Sequence, residues 1–249
     1  EGVPPQFRLP KEYYTSKVDF PHFTDIASNL GLDKRGLAGG VAVEDFNNDG
    51  HLDIMASNWG FHDQIHLYQN KGDGSFEDVT MKSGLQGVTG GLNIRQTDYN
   101  NDGFADVLIM RGAWFRDQGR IPNSLLKNNG DGTFTKITTG TPVNDAFISR
   151  CVNWTDFDND GDADLFVTNE NDQNENLYRN NGDGTFTKIT TGALVTNGGK
   201  TMSASWGDYD NDGDQDVFLA NDQGNDALFR NEGDGSFFKV GSDPIVTNG

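Results

Sequence analysis

The sequence contains a single cysteine, Cys151, among 249 residues. Because a disulfide needs two thiols, no intrachain disulfide can form. No apolar run reaches the roughly 18 residues that a membrane-spanning helix needs. The first ten residues lack the basic and apolar regions of a secretory leader. The sequence therefore predicts no membrane insertion, and an exported form would already have lost its leader.

Basic residues are also scarce, with 19 Lys and Arg against 38 Asp and Glu, which gives a formal net charge of −19. A strongly acidic chain repels the phosphates of nucleic acids and of anionic membranes, so we expect neither as a partner. Divalent cations are the natural counter-charge for such a chain.

Long helical patterns are absent, whereas glycine (32 residues) and phenylalanine (17 residues) are abundant. Short apolar runs separated by glycine-rich turns are typical of strands joined by tight connections. We therefore predict an all-β protein.

Four acidic segments repeat along the chain without gaps, and their starts are 53, 58 and 52 residues apart. The segments, called metal loops below, are Asp45–Asp53, Asp98–Asp106, Asp156–Asp164 and Asp208–Asp216. Each is followed by a second signature, Asn-x-Gly-Asp-Gly-Ser/Thr-Phe, at Asn70–Phe76, Asn128–Phe134, Asn180–Phe186 and Asn231–Phe237. Each Asp-Gly pair in this second signature marks a tight hairpin.

The runs between these signatures predict four strands per repeat, which in the first repeat are 40–43, 52–56, 65–68 and 76–80. A repeat of roughly 50 residues with four antiparallel strands is typical of a propeller blade. We expect the aromatic residue inside each metal loop to pack between blades, and likewise Trp154 and Trp206. The predicted organisation is an N-terminal arm at 1–22 and repeats at about 33–85, 86–143, 144–195 and 196–245, within a region spanning 23–249.

Together the loops and hairpins resemble the FG-GAP or VCBS repeats of integrin-α-like propellers. Within that group the sequence is most similar to bacterial proteins resembling cartilage acidic protein, the ASPIC/UnbV-associated group. The supporting stretches are Phe23–Leu32, Arg111–Trp114 and Pro122–Leu125. The resemblance implies a propeller that is usually seven-bladed, whereas only four repeats are visible.

Three explanations of the four repeats stay open at this point: part of a larger propeller, a four-bladed ring, or a propeller completed by another chain. Phe23–Leu32 repeats the outer-strand pattern of residues 76–85, so we expect an extra outer strand at the start.

Oxygen-rich turns of this kind suit calcium, which prefers six to eight hard oxygen ligands. The candidate ligands are the side chains at loop positions 1, 3, 5 and 9 and the main-chain carbonyl at position 7. Magnesium is disfavoured, because it is smaller and requires a stricter octahedral geometry. We expect about four calcium ions, bound more strongly by the third and fourth loops, which carry Asp at position 3. The candidate ligands are Asp45, Asn47, Asp49, His51 and Asp53; Asp98, Asn100, Asp102, Phe104 and Asp106; Asp156, Asp158, Asp160, Asp162 and Asp164; and Asp208, Asp210, Asp212, Asp214 and Asp216.

The sequence contains no nucleophile elbow, no phosphate-binding loop and no zinc-ligand spacing. We therefore predict that the protein is not an enzyme. A polysaccharide-active enzyme is the less favoured alternative. Unequal loops between the second and third strands carry the candidate ligand-binding residues Trp59, Trp114, Phe115 and Arg116. We expect a secreted or cell-surface binding or adhesion module for a glycan or protein. The alternative is a scaffold whose copies assemble through propeller edges or through the N-terminal arm.

Overall fold

A computed structural model describes residues 23–34, 36, 38–60, 62–112, 119–170 and 173–241 of the chain. The predicted arm at 1–22 and the Trp114, Phe115 and Arg116 side chains lie outside these residues. In the described part, no helix has the length and apolar character needed to cross a membrane.

The described residues form four separate sheets of four strands, and every neighbouring pair of strands is antiparallel. Within each sheet the strands follow chain order. The strands are β1 (Ala38–Glu44), β2 (Asp53–Asn58), β3 (His66–Asn70) and β4 (Phe76–Asp78); β5 (Asn93–Thr97), β6 (Asp106–Met110), β7 (Ser124–Asn128) and β8 (Phe134–Lys136); β9 (Ser149–Thr155), β10 (Asp164–Asn169), β11 (Asn176–Asn180) and β12 (Phe186–Ile189); and β13 (Thr201–Gly207), β14 (Asp216–Asn221), β15 (Ala227–Asn231) and β16 (Phe237–Val240). These are propeller blades, so the predicted fold class is confirmed.

Each blade packs face to face on the next one along the chain. The inner strands β1, β5, β9 and β13 lie beside one another in that order. Within the described residues β13 makes no comparable contact with β1, so the four blades form an open array and not a closed four-bladed ring.

Alternate side chains of one strand supply two different apolar layers. In β6, Ile109 packs with Met55 of the first blade, whereas Leu108 packs with Leu165 of the third blade. Between the third and fourth blades the layer includes Phe166 and Phe229. Because a strand points successive side chains to opposite faces, a central blade needs apolar residues on both.

The chain places two kinds of connection at opposite ends of the blades. The metal loops join the first and second strands, and the Asn-x-Gly-Asp-Gly hairpins join the third and fourth, so both lie at one end. The connections between the second and third strands, and those between blades, lie at the other end. This arrangement is the one that the repeat pattern predicts.

Two expectations were wrong. Residues 23–26 form no strand, and a short 3-10 helix follows at Ala27–Leu30. Phe23 is 99% exposed. A strand at this position would need a neighbour to complete its hydrogen bonds, and no strand of the described residues lies there.

The second correction concerns the aromatic residues of the metal loops. Phe46, Tyr99 and Phe157 are 1–3% exposed between blades, but Tyr209 of the fourth loop is 45% exposed. The first three are covered by the following blade, and no described blade follows the fourth. Trp154 and Trp206 do pack between blades, against Tyr99 and Phe166 respectively.

Candidate metal centres

Each metal loop makes a sharp turn through two residues with positive φ. Position 4 is Asn in every loop, with φ between 56° and 63°, and position 6 is Gly, with φ between 86° and 100°. Asn tolerates the left-handed region better than other side chains, and Gly has no Cβ to clash there. The Asn-Asp-Gly sequence therefore sets the local path of the loop.

The Asp at position 1 closes each loop on its own backbone. In the first loop the Oδ1 of Asp45 accepts from the Asp49 N–H (3.0 Å) and its Oδ2 accepts from the Gly50 N–H (2.8 Å). The equivalent carboxylates make the same two bonds at 2.8–3.1 Å in the other loops. The loop is thus held in shape by its first residue.

The Asp at position 9 is buried and anchors the loop to the hairpin of its own blade. Its Oδ1 accepts from the N–H of the hairpin Asn at 2.7–2.8 Å in all four blades. Burial raises the pKa of Asp106 and of Asp164 to about 7. It also raises the pKa of Asp53. Hydrogen bonds from main-chain N–H groups only partly offset the loss of water around these carboxylates, so a nearby cation would favour their ionised form.

Carboxylate oxygens converge in the third and fourth loops. In the third loop, positions 1, 3 and 9 each contribute one carboxylate oxygen, and these three oxygens lie within 4.8 Å of one another (Asp156, Asp158 and Asp164). The same three positions of the fourth loop do likewise (Asp208, Asp210 and Asp216). Burial, and then the charges of Asp160 and Asp156, raise the pKa of Asp158.

Two carboxylate oxygens in these loops are buried without a hydrogen-bond partner among the described residues: Oδ1 of Asp158 and Oδ2 of Asp106. A buried acceptor without a donor is unfavourable, and a bound cation would satisfy it. Hard oxygens at this spacing fit calcium. In the first two loops position 3 is Asn, and the Oδ1 of Asn47 and of Asn100 accepts from the N–H of position 5.

The side chains at positions 5 and 7 lie apart from these clusters. The Oδ1 of Asp160 accepts from the Asp162 N–H (2.9 Å), and Asp102 forms an ion pair with Lys127 (3.1 Å). At position 7, Asp162 and Asp214 extend toward the preceding blade, so only their main-chain carbonyls remain as candidate ligands. The side chains of His51 and Phe104 lie instead against Gly72 and Gly130 of the hairpins in their own blades, so at position 7 of these loops too the main-chain carbonyl is the candidate ligand.

Sequence reasoning missed the Asn residues that connect the loops of successive blades. The Nδ2 of Asn101 donates to Oδ1 of Asp162 (2.5 Å), and the Nδ2 of Asn159 donates to Oδ1 of Asp214 (2.6 Å). The hairpin Asn of the second, third and fourth blades donates back to the carbonyl of the loop aromatic residue in the preceding blade. The presence of Asn at these positions in every repeat is the signal that could have revealed them.

Of the candidate ligand-binding residues, Trp59 is half-buried in the connection between β2 and β3. This connection lies at the end of the blades opposite the metal loops, so the two candidate sites are separate.

Comparison with known proteins agrees with this architecture. Cartilage acidic protein 1 of Xenopus tropicalis is 32% identical over 150 residues, which cover 59% of this chain and 22% of that protein. The Homo sapiens protein of the same name is 26% identical over 212 residues, covering 79% of this chain and 30% of that protein. The chain thus spans less than a third of the length of these relatives.

A solved structure of a protein from Lactobacillus plantarum superposes with a TM-score of 0.52 at 13% identity, over 82% of this chain and 55% of that one. At this identity the likeness concerns the fold alone. The model of the FG-GAP-like repeat matches residues 45–109, 113–167, 156–219 and 208–249, which together span most of the chain. The chain therefore belongs to the FG-GAP-like repeat family.

Proposed function

We propose that this chain is a calcium-dependent binding module, secreted or displayed at the cell surface, that recognises a glycan or protein and catalyses no reaction. The observation that carries the calcium proposal is the convergence of three carboxylates in each of the third and fourth loops. Close carboxylates repel one another, and a divalent cation removes that repulsion.

Each loop would hold one ion through its side-chain oxygens at positions 1, 3 and 9 and the carbonyl at position 7, with position 5 contributing after a rotation of its side chain. The first and second loops offer an amide oxygen at position 3 in place of a carboxylate. Their affinity should therefore be lower, because ligand charge tunes calcium binding.

Calcium titration of the metal-free protein by isothermal calorimetry tests the metal proposal. We expect about four sites, and Asp158→Ala should remove the third one while the other three loops still bind calcium. Asp183→Ala is the matched control, because Asp183 is an acidic residue of the same blade that bonds Thr185 in the hairpin and not the loop. Equal loss of calcium in both variants would contradict the assignment.

The binding role is supported by membership of a repeat family built from blades and by aromatic residues on the long connections at the end opposite the metal loops. Aromatic rings beside polar groups suit sugars and protein surfaces. The relatives named cartilage acidic protein 1 favour an extracellular setting for the proposal.

A glycan array probed with and without calcium tests this role. We expect calcium-dependent binding that is weakened by Trp59→Ala or Trp114→Ala. Binding that persists in chelator would contradict calcium dependence. An array without any bound glycan would leave a protein as the partner, to be sought by cross-linking.

A further inference from the structure

The second strand of three blades ends in an Asn that closes the connection after it. Its Nδ2 donates to a carbonyl of that connection, at 2.9 Å from Asn58, 2.7 Å from Asn169 and 2.8 Å from Asn221. In the second blade the equivalent residue, which follows the buried Asp106 by the same number of positions, is Arg111. The fold therefore needs only a short amide here, and Arg111 departs from the repeat.

The residue that faces this position also differs in the second blade. The main-chain N–H at the end of the second strand donates to the side chain just before the third strand. In the third and fourth blades that side chain is a carboxylate, Glu175 or Asp226, with bonds of 2.8 Å. In the second blade the Arg111 N–H donates to the neutral Asn123 (2.9 Å). The blade that carries the guanidinium thus lacks the carboxylate that would neutralise it.

The guanidinium of Arg111 is held by neutral oxygens. Its Nη1 donates to the hydroxyl of Ser124 (2.6 Å) and to the carbonyl of Pro122 (3.5 Å). Its Nε is buried without a hydrogen-bond partner, and it forms no ion pair with an Asp or Glu of the described residues. Burial lowers the pKa of Arg111. A buried charge without a counter-charge is unfavourable, and a bound anion would remove that cost.

A second cation, Lys136, lies on the same face of the blade. The register of β7 and β8 puts its side chain on the face that also carries Ser124, the residue that Arg111 contacts. The equivalent Lys188 of the third blade donates to Asp145 (2.7 Å), whereas Lys136 has no such partner within the described ranges. Burial and the charge of Arg111 lower the pKa of Lys136. The two cations therefore repel each other in a chain whose net charge is −19.

We infer that Arg111 and Lys136 bind the carboxylate of an acidic sugar, and that this sugar is the ligand of the binding module. The inference rests on the proposed function, because it names the class of glycan. Nη1 is occupied, but Nε and Nη2 of Arg111 make no hydrogen bond to the described residues. This edge of a guanidinium takes a carboxylate through two parallel hydrogen bonds. Lys136 supplies a second positive charge.

The surroundings of Arg111 favour a sugar with a single charge. Arg111 lies at the end of the blades opposite the metal loops, where the neighbouring first blade carries Trp59. A ring near a cation suits a ligand with both an apolar face and a carboxylate. The net charge of −19 repels polyanions. A uronic acid unit therefore fits better than a polysulfated chain.

Binding of the calcium-loaded protein to paired oligosaccharides that end in glucuronic acid or in glucose tests the inference. The wild type should bind the acidic member about tenfold more tightly, as expected for hydrogen bonds between charged groups. Arg111→Asn places at this position the residue of the other three blades, so it should fold normally and lose the preference. Arg111→Lys keeps the charge without the two-pronged edge and should retain only part of it. Arg95→Gln is the matched control, because it removes an exposed positive charge from the same blade.

Direct binding of the uronate to calcium is the competing explanation. Arg111→Asn leaves the metal loops unchanged, so a preference that persists in this variant would overturn the inference, as would an equal loss in Arg95→Gln. Binding of both sugars without preference would overturn it and keep the proposed function. Tighter binding of tetraglutamate than of the glucuronide would assign the site to a protein partner instead.

A second measurement observes the site itself. The NMR signal of the Arg111 Nε–H group should shift when glucuronic acid is added and stay in place when glucose is added. A signal that responds to neither sugar would contradict the assignment of Arg111.

Discussion

At the residue scale, Glu175 is a buried carboxyl group outside the metal loops. It is 2% exposed in the connection between β10 and β11, and its Oε2 accepts from the Asn169 N–H (2.8 Å). Its Oε1 contacts the Thr201 hydroxyl of the next blade, which also contacts Oδ1 of Asn221. One hydroxyl proton cannot serve both acceptors, so a protonated Glu175 that donates to Thr201 satisfies every group.

Burial raises the pKa of Glu175 from 4.5 to about 7. A carboxyl group with a raised folded-state pKa favours the folded protein while it stays protonated. Its contribution is fully present below about pH 4.5 and is lost as the pH rises through about 7. For a shift of this size the loss is on the order of 3 kcal/mol.

Glu175→Gln should remove this pH dependence, because the amide mimics the protonated acid at all pH values. We expect the variant to match the wild type near pH 5 and to exceed its unfolding free energy by up to about 3 kcal/mol at pH 8. Urea unfolding at both pH values, in saturating calcium, measures the difference. Glu77→Gln is the control, since a hydrogen bond from Lys71 holds the pKa of Glu77 at about 2, outside this window. A constant difference between wild type and Glu175→Gln across the range would contradict the argument.

At the element scale, the metal loops of successive blades are connected unequally. Asn101 and Asn159 each donate a hydrogen bond to the position-7 Asp of the following loop. In the second loop position 7 is Phe104, whose side chain offers no acceptor for the equivalent Asn48. Because the amide of Asn159 fixes Asp214, it also fixes the neighbouring carbonyl that would bind the ion. Occupancy of the third loop should therefore favour occupancy of the fourth.

Asn159→Gly tests this connection, because Gly removes the amide but keeps the positive φ of 57° without strain. We expect the calcium affinity of the fourth loop to fall about fivefold. The amide NMR signal of Gly213 follows that loop during a titration. Asn48→Gly is the matched control, because Asn48 has the same backbone conformation (φ 59°) and position 7 of the following loop is Phe104, which has no side-chain acceptor. In this variant the Gly103 signal of the second loop should respond to calcium as it does in the wild type. Equal effects in the two variants would rule out coupling through the amide.

At the scale of the whole molecule, stability should depend on calcium. Only the folded chain gathers the ligands of each loop, so binding favours the folded state. With a dissociation constant of about 0.1 mM and about 1 mM free calcium, each site contributes about 1.4 kcal/mol and four sites contribute roughly 6 kcal/mol. That sum is comparable with the net stability of many domains.

Thermal melts in chelator, in calcium and in equal magnesium measure this contribution. We expect a large increase in the melting temperature with calcium and a smaller one with magnesium. Asp183→Ala again serves as the control that keeps all four loops. Identical melting temperatures in chelator and in calcium, after verified removal of metal, would contradict a structural role for the ion.

The sequence by itself determined the features that depend on near neighbours. The Asn-Asp-Gly and Gly-Asp-Gly turns are set by local backbone preferences, and the spacing of about 50 residues left room for only four short strands between them. The blade, its antiparallel order and the position of the loops at one end could therefore be predicted.

Only the tertiary structure decided what happens where blades meet. Phe46 and Tyr209 occupy the same loop position, and only the presence of a following blade makes one buried and the other exposed. Phe23–Leu32 has an outer-strand pattern but no neighbouring strand among the described residues. Asn159 and Glu175 act on residues of the next blade that are distant in sequence. Their roles arise from packing across interfaces, which no local pattern encodes.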